Sequence, residues 1–165
     1  MSLPDTSIIG TGALGSALCR ALVDRQFPVK SIFNRDRSLA DQLADELGVE
    51  YSAAFPQSVE ELGSITFLTV SDGAISEVAA RISQLSDSFE GYTFVHCSGN
   101  ESADLLDSLR AKGASVASFH PLQTFNSRSG PEDFRDIYFS IQGDREGDSG
   151  ARKIWRNGWV LIPWK

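Results

Sequence analysis

The stretch Ser7-Ile8-Ile9-Gly10-Thr11-Gly12-Ala13-Leu14-Gly15-Ser16-Ala17-Leu18 constrains the fold of this chain more than any other. A short apolar strand runs straight into Gly-x-Gly-x-x-Gly. Ala13, Leu14, Ala17, Leu18, Ala21 and Leu22 then recur at helical spacing, which predicts a helix over 13–24. Each glycine has its own physical task. Gly10 permits a tight strand-to-helix turn, Gly12 lacks the Cβ that would block a pyrophosphate, and Gly15 lets the helix pack closely on a sheet. The free N–H groups at Gly12, Ala13 and Leu14, with the positive end of the helix dipole, would face a bound diphosphate. The glycine spacing also occurs in ordinary turns, but its position between a strand and a helix favours a dinucleotide.

The rest of the chain repeats that alternation. Strands are expected at 29–33, 49–51, 64–70, 92–96 and 115–119. The helices between them are marked by Leu39, Leu43 and Leu47, by a short segment over 56–62, by Ile75, Val78, Ala79, Ile82 and Leu85, and by Leu105, Leu106 and Leu109. Gly48 and Gly113 stand where helix C-caps belong, and Asp72 is placed to cap the helix after it. Strand and helix in turn specify an α/β fold, a doubly wound, mainly parallel Rossmann-type sheet of about eight strands with helices on both faces. After Phe125 the rhythm changes. Residues 137–141 read as a seventh strand, 151–156 as a short helix and 159–163 as a last strand. Residues 1–6 form a lead-in, and 126–165 add strands at the edge of what reads as one dinucleotide-binding domain spanning 1–165.

Composition narrows the function. Hydrophobic residues make 41% of the 165 and charged residues 22%, the profile of a globular domain. A net charge of −7 argues against non-specific nucleic-acid binding. No apolar run reaches membrane-spanning length and no signal pattern opens the chain, so a cytoplasmic location is expected. Cys19 and Cys97 are too few for a disulfide framework and lack metal-ligand spacing. They read as small buried apolar residues, and no metal site is expected.

The end of the second strand bears on the choice of cofactor. An NAD site usually places a carboxylate about 20 residues past the glycines, to bond the ribose 2′-hydroxyl. Here that position is Asn34, followed by Arg35. Asn34 can donate to a 2′-phosphate, and the planar guanidinium of Arg35 can pair with it and stack on adenine. Arg37 and Ser38 stand close enough to supplement such a pocket, while Asp36 is out of character there. The cofactor expected is therefore NADP.

In an open α/β sheet, ligands collect beyond the carboxyl ends of the strands. Val70, Ser71 and Asp72 would pass the ribose and nicotinamide side. Ser98 would stand near a substrate carbonyl as a hydroxyl donor. His120, whose imidazole can exchange a proton near neutral pH, would serve as proton source. An equally good reading makes His120 a strand-end residue packed on Pro121. His96 ends a buried strand, and a structural hydrogen bond suits it better than catalysis. No Gly-x-Ser-x-Gly elbow supports a hydrolase.

Taken in order, Gly10-Thr11-Gly12-Ala13-Leu14-Gly15, Asn34-Arg35, Ser71-Asp72-Gly73-Ala74-Ile75, His96-Cys97-Ser98-Gly99 and His120-Pro121-Leu122-Gln123-Thr124-Phe125 resemble one group of proteins. These are the Rossmann-like NADP oxidoreductases of the 6-phosphogluconate dehydrogenase-like superfamily, near pyrroline-5-carboxylate reductase, ketopantoate reductase and prephenate dehydrogenase. The resemblance implies hydride transfer from NADPH to a small carbonyl or imine substrate. Relatives of that group continue into a C-terminal helical domain, and the present residues resemble their nucleotide-binding half. That suggests an alternative, a dinucleotide-binding module or sensor without its substrate domain. Such a module would act through a homodimer or a separate helical partner chain, met through Trp155, Trp159 and Trp164.

Overall fold

The computed structural model describes residues 3–143. A seven-stranded sheet runs through it: β1 (Thr6–Ile9), β2 (Val29–Phe33), β3 (Ser52–Ala53), β4 (Ile65–Leu68), β5 (Thr93–His96), β6 (Ser115–Pro121) and β7 (Phe139–Gly143). The spatial order is β3-β2-β1-β4-β5-β6-β7. The first six strands are mutually parallel and β7 is antiparallel to β6. The order reverses at β1, so a crevice opens between the carboxyl ends of β1 and β4. The helices are α1 (Ala13–Asp24), α2 (Arg37–Leu47), α3 (Ile75–Ser83) and α4 (Asp107–Arg110). This is the doubly wound Rossmann-type architecture expected. The eighth strand and the helix expected at 151–156 lie outside the described residues.

The central strands are buried because both faces are covered. Side chains of successive strand residues point to opposite sides. Ile8, Ile32, Phe67, Val95 and Phe119 pack with Ala17, Leu18, Ala21, Leu22, Leu43 and Ala44 of α1 and α2. Their neighbours Ile9, Phe33, Leu68, Phe94 and Val116 pack with Ile75, Ala79, Ile82, Leu106 and Leu109 on the other face. Polar residues inside the strands are satisfied in series. The Gly63 N–H donates to the Ser7 hydroxyl, Ser7 Oγ lies 2.6 Å from Ser31 Oγ, and the Ser31 hydroxyl donates to the Glu61 carbonyl. Because Ser31 gives its proton to Glu61, Ser7 must give its own to Ser31. Cys19 and Cys97 are buried, and burial pushes both thiols up to about 12, so neither presents a thiolate at neutral pH. No helix among the described residues is long and apolar enough to cross a membrane.

Several boundaries differ from expectation, each for a local reason. Residues 49–51 do not form the third strand. The Val49 N–H folds back to the Ala44 carbonyl as part of the α2 C-cap, with Gly48 left-handed at φ 69°, so pairing begins only at Ser52. The segment 56–62 holds a single 3-10 turn, Val59–Glu61. Asp72 does not cap α3. It begins a 3-10 turn, Asp72–Ala74, that leads into the helix, and Ala74 occupies the cap position without a side-chain bond. Strand β6 continues through His120 and Pro121 because β7 pairs with it to its end, Pro121 opposite Phe139. The seventh strand accordingly starts at Phe139 rather than 137. Between β6 and β7 the chain folds over α1. A 3-10 turn, Pro131–Phe134, buries Phe134 in the α1–α2 core, and Arg20 of α1 donates to the Ser129 carbonyl.

Candidate functional site: a cleft at the β1–β4 crevice

The glycine loop turns as its residue types require. Gly10 has φ 103°, and a Cβ there would meet the Thr69 carbonyl oxygen at 2.7 Å. A Cβ on Gly15 would lie 1.9 Å from the Gly10 carbonyl oxygen and 2.6 Å from Thr69 Oγ1. The absence of that carbon lets α1 seat on the loop. The Thr69 hydroxyl donates to the Gly10 carbonyl at 2.7 Å and locks the end of β4 to the turn.

Gly12 behaves differently, because an added Cβ would meet nothing within 4 Å and would project into open space. It is the N-cap of α1, without a side-chain cap, and the first turn of the helix carries no acidic residue. The leading N–H groups therefore keep their partial positive charge for something outside the chain. Thr11 Oγ1 is buried and has no hydrogen-bond partner among the described residues. An orphaned hydroxyl, uncapped N–H groups and vacant volume at one point fit a diphosphate.

The cleft above this loop has a volume of about 430 Å³ and is walled by four strand ends and one helix face. Of the residues predicted for cofactor binding, Gly10, Gly12, Asn34, Arg35, Val70 and Ser71 line it. Gly15 lies beneath, as packing requires. Ala13, Leu14 and Asp72 are not among the lining residues.

Arg37 and Ser38, also expected at the pocket, do not line the cleft. The Arg37 guanidinium pairs with Asp41 at 3.4 Å, one turn along α2. Ser38 donates both its N–H and its hydroxyl to Asp36 Oδ1, at 3.0 and 2.6 Å. Both are therefore engaged within α2 itself. The same bonds account for Asp36, whose carboxylate serves as the N-cap of α2. Arg35 is left without an ion pair among the described residues, beside Asn34 and facing the cleft.

Sequence reasoning missed Thr69, Ala54 and Phe55, and the face of α3 formed by Glu77, Val78 and Arg81 together with Ala74 before it. A signal existed for the last group. Residues 74, 77, 78 and 81 follow the i, i+3, i+4, i+7 rule, offset from the buried stripe of Ile75, Ala79 and Ile82.

Ser98 and His120 stand farther along the same sheet edge, past β5 and at the end of β6, and do not line the cleft. His120 Nδ1 lies 3.2 Å from the Cys97 carbonyl. That carbonyl can only accept, so Nδ1 carries the hydrogen and Nε2 is left for other partners. A Cβ on Gly99 would sit 2.6 Å from His120 Nε2, so this glycine is what admits the ring. Ser98 is buried, and its hydroxyl accepts the Asn100 N–H at 3.2 Å.

His96 is closed off entirely. Its Nδ1 accepts the Ser98 N–H at 3.2 Å and its Nε2 donates to the Ser102 carbonyl at 3.0 Å. Burial holds its pKa below the usual histidine range, against the opposing pull of Ser102, Asp72 and Glu101. It is a neutral, structural imidazole that positions the Ser98 backbone.

Comparison with known proteins agrees with this geometry. A search of curated protein sequences returned no match. Among solved structures, an NADP oxidoreductase-like protein from Bacteroides fragilis superposes with a TM-score of 0.78 at 23% identity, over 93% of this chain and 56% of that one. Prephenate dehydrogenase from A. aeolicus, in complex with hydroxyphenyl propionate and NAD+, gives 0.76 at 18%, over 98% and 59%. A reductive aminase from Aspergillus terreus, in complex with NADPH, gives 0.71 at 16%, over 94% and 53%. The chain thus spans a little over half the length of these proteins, and at such identities they establish the fold. Residues 6–100, from β1 through the end of β5, match a protein-family model. With that match covering the glycine loop, the Asn34-Arg35 corner and Ser98, the chain belongs to the family described as NADP oxidoreductase, coenzyme F420-dependent.

Proposed function

We propose that the cleft binds NADP(H) and that the protein is an NADP-dependent oxidoreductase acting on a small carbonyl or imine compound. One observation carries the cofactor reading. Arg35 faces the cleft unpaired beside Asn34, while the neighbouring acid, Asp36, is turned away to cap α2. Membership of an NADP oxidoreductase family supports the same cofactor.

When bound, NADPH supplies the hydride. The chain's own residues bind, orient and manage one proton. The N–H groups at the start of α1 and the Thr11 hydroxyl hold the diphosphate, and Asn34 and Arg35 hold the 2′-phosphate. Val70 and Ser71, at the end of β4, would line the ribose side of the cofactor. At the ends of β5 and β6, Ser98 donates a hydrogen bond to the carbonyl oxygen or imine nitrogen. His120, anchored through its Nδ1–H to Cys97, would deliver from Nε2, with both ring nitrogens protonated beforehand, the proton that this atom gains as its carbon is reduced. The hydride and the proton together account for the alcohol or amine formed.

The test is a titration of the 165-residue chain with both cofactors, followed by a turnover screen. Arg35→Ala should weaken NADPH about tenfold and leave NADH within about twofold, because only NADPH carries the 2′-phosphate. Equal loss for both would refute the assignment. The screen offers 2-oxo acids, cyclic imines and, given the family description, coenzyme F420, with NADPH absorbance followed.

A second reading is favoured by the position of Ser98 and His120 outside the lined cleft: a dinucleotide-binding module that works with a second copy or a helical partner chain. Trp155, Trp159 and Trp164, its expected contact residues, lie outside the described residues. NADPH binding without turnover, together with a dimer in light scattering that Trp164→Ala shifts to monomer, would establish that reading over the first.

A further inference from the structure

The cleft contains two guanidiniums, and the nucleotide reading uses only Arg35. The other is Arg81, on the stripe of α3 that lines the cleft. Its guanidinium carbon stands 4.0 Å above the centroid of the Phe55 ring. Phe55 follows β3 and Arg35 follows β2, so these neighbouring strand ends and α3 enclose one end of the cleft. Arg20, Arg25, Lys30, Arg37 and Arg110 each meet a carboxylate, but neither Arg35 nor Arg81 does so among the described residues. Glu77 lines the same wall one turn before Arg81 and is not within ion-pair distance of either arginine.

Both arginine side chains are exposed and line one cleft, where together they favour a dianion. Lys112, Arg128 and Arg135 also meet no carboxylate among the described residues, but none of them lines the cleft. The aromatic face under Arg81 holds the guanidinium by its ring quadrupole while leaving its N–H groups free.

We propose that Arg81 is a second specificity residue for the adenosine end of the cofactor, binding the 2′-phosphate together with Arg35, with Phe55 holding the guanidinium ready. This inference rests on the NADP reading of the cleft.

The experiment uses the full chain and four ligands, NADPH, NADH, 2′,5′-ADP and 5′-AMP, titrated by calorimetry against wild type, Arg81→Met, Arg81→Lys and Arg35→Ala. Arg81→Met keeps an unbranched stem and removes the charge. It should weaken NADPH and 2′,5′-ADP roughly tenfold and leave NADH and 5′-AMP within about twofold. Arg81→Lys should recover part of the loss, since it restores charge without the planar fork. The salt dependence of 2′,5′-ADP binding should also become shallower in Arg81→Met.

Equal weakening of all four ligands would overturn the inference and leave Arg81 a packing residue on Phe55. Unchanged binding in Arg81→Met, with Arg35→Ala impaired, would overturn the inference alone. A wild-type chain that does not prefer 2′,5′-ADP over 5′-AMP would overturn the NADP reading beneath it. Arg81→Lys, with a melting curve for every variant, separates loss of binding from loss of fold.

Discussion

The crevice between β1 and β4 and the corner where β5 and β6 end lie on one edge of one sheet, yet they treat their polar groups in opposite ways. In the crevice, among the described residues, the α1 N-terminus has no side-chain cap, Thr11 Oγ1 has no partner, and Arg35 and Arg81 meet no carboxylate. In the corner, His96 is bonded at both ring nitrogens, His120 is tied to Cys97, and the Ser98 hydroxyl accepts the Asn100 N–H. The crevice has the unsatisfied donors that an anionic ligand would complete. The corner is largely satisfied by its own backbone, so a substrate must compete for Ser98 and for the one free nitrogen of His120. Binding and chemistry are prepared to different degrees, and they can be perturbed separately.

The largest effects should come from the two inner glycines of the crevice, which look alike in sequence. Gly15→Ala places a carbon 1.9 Å from the Gly10 carbonyl oxygen and should cost about 3 kcal/mol of stability, seen as an earlier urea midpoint. Gly12→Ala meets no protein atom, so its melting temperature should stay within about 1 °C while NADPH binding weakens at least tenfold. If Gly12→Ala binds NADPH normally, the diphosphate does not lie on this loop.

Next in size, His120→Asn should lower kcat about 100-fold with any active carbonyl or imine substrate, and leave NADPH affinity within about twofold. Loss of NADPH affinity on the scale of Arg35→Ala would erase the distinction between crevice and corner.

The smallest effect concerns His96. Its folded-state pKa is depressed by burial, so the native state holds the neutral ring and the unfolded chain binds the proton first. Stability is fully present above the unfolded value of about 6.5 and is lost as pH falls through that value toward the folded one. The melting temperature should drop by a few degrees from pH 7.5 to 5.5, and His96→Gln should flatten that slope. Parallel slopes in the two proteins would mean that the ring does not set the pH response of the corner.

These contrasts also explain what was legible beforehand. The glycine loop could be read because its spacing encodes backbone geometry, which local sequence determines. Asn34 and Arg35 could be read because the distance from the glycines places the end of β2. The Ser38 hydroxyl donates to Asp36 two residues before it and does not line the cleft, and Asp before a helical run is itself a capping signal. Helical spacing puts Arg81 on one stripe with Ala74, Glu77 and Val78, but a charged residue on the outer face of a helix has the same pattern whether it meets water or a ligand. Its position depends on α3 packing beside the ends of β2 and β3, which are far away in sequence. His120 was expected in a loop because its partner, Ser140 of β7, lies across an antiparallel pairing that no local pattern announces.

The central place of β1 has a consequence for how the protein is made. It precedes the other described strands in synthesis, and one of its two neighbours, β4, pairs with it through Thr6 and Ile65, about sixty positions later. At roughly 5–20 residues per second, an apolar strand edge waits several seconds for its partner. Throughout that interval Ile8 and Ile9 are available to other nascent chains. The glycine loop that would seat a diphosphate therefore directly follows a strand that waits for its partner while the chain is being synthesised.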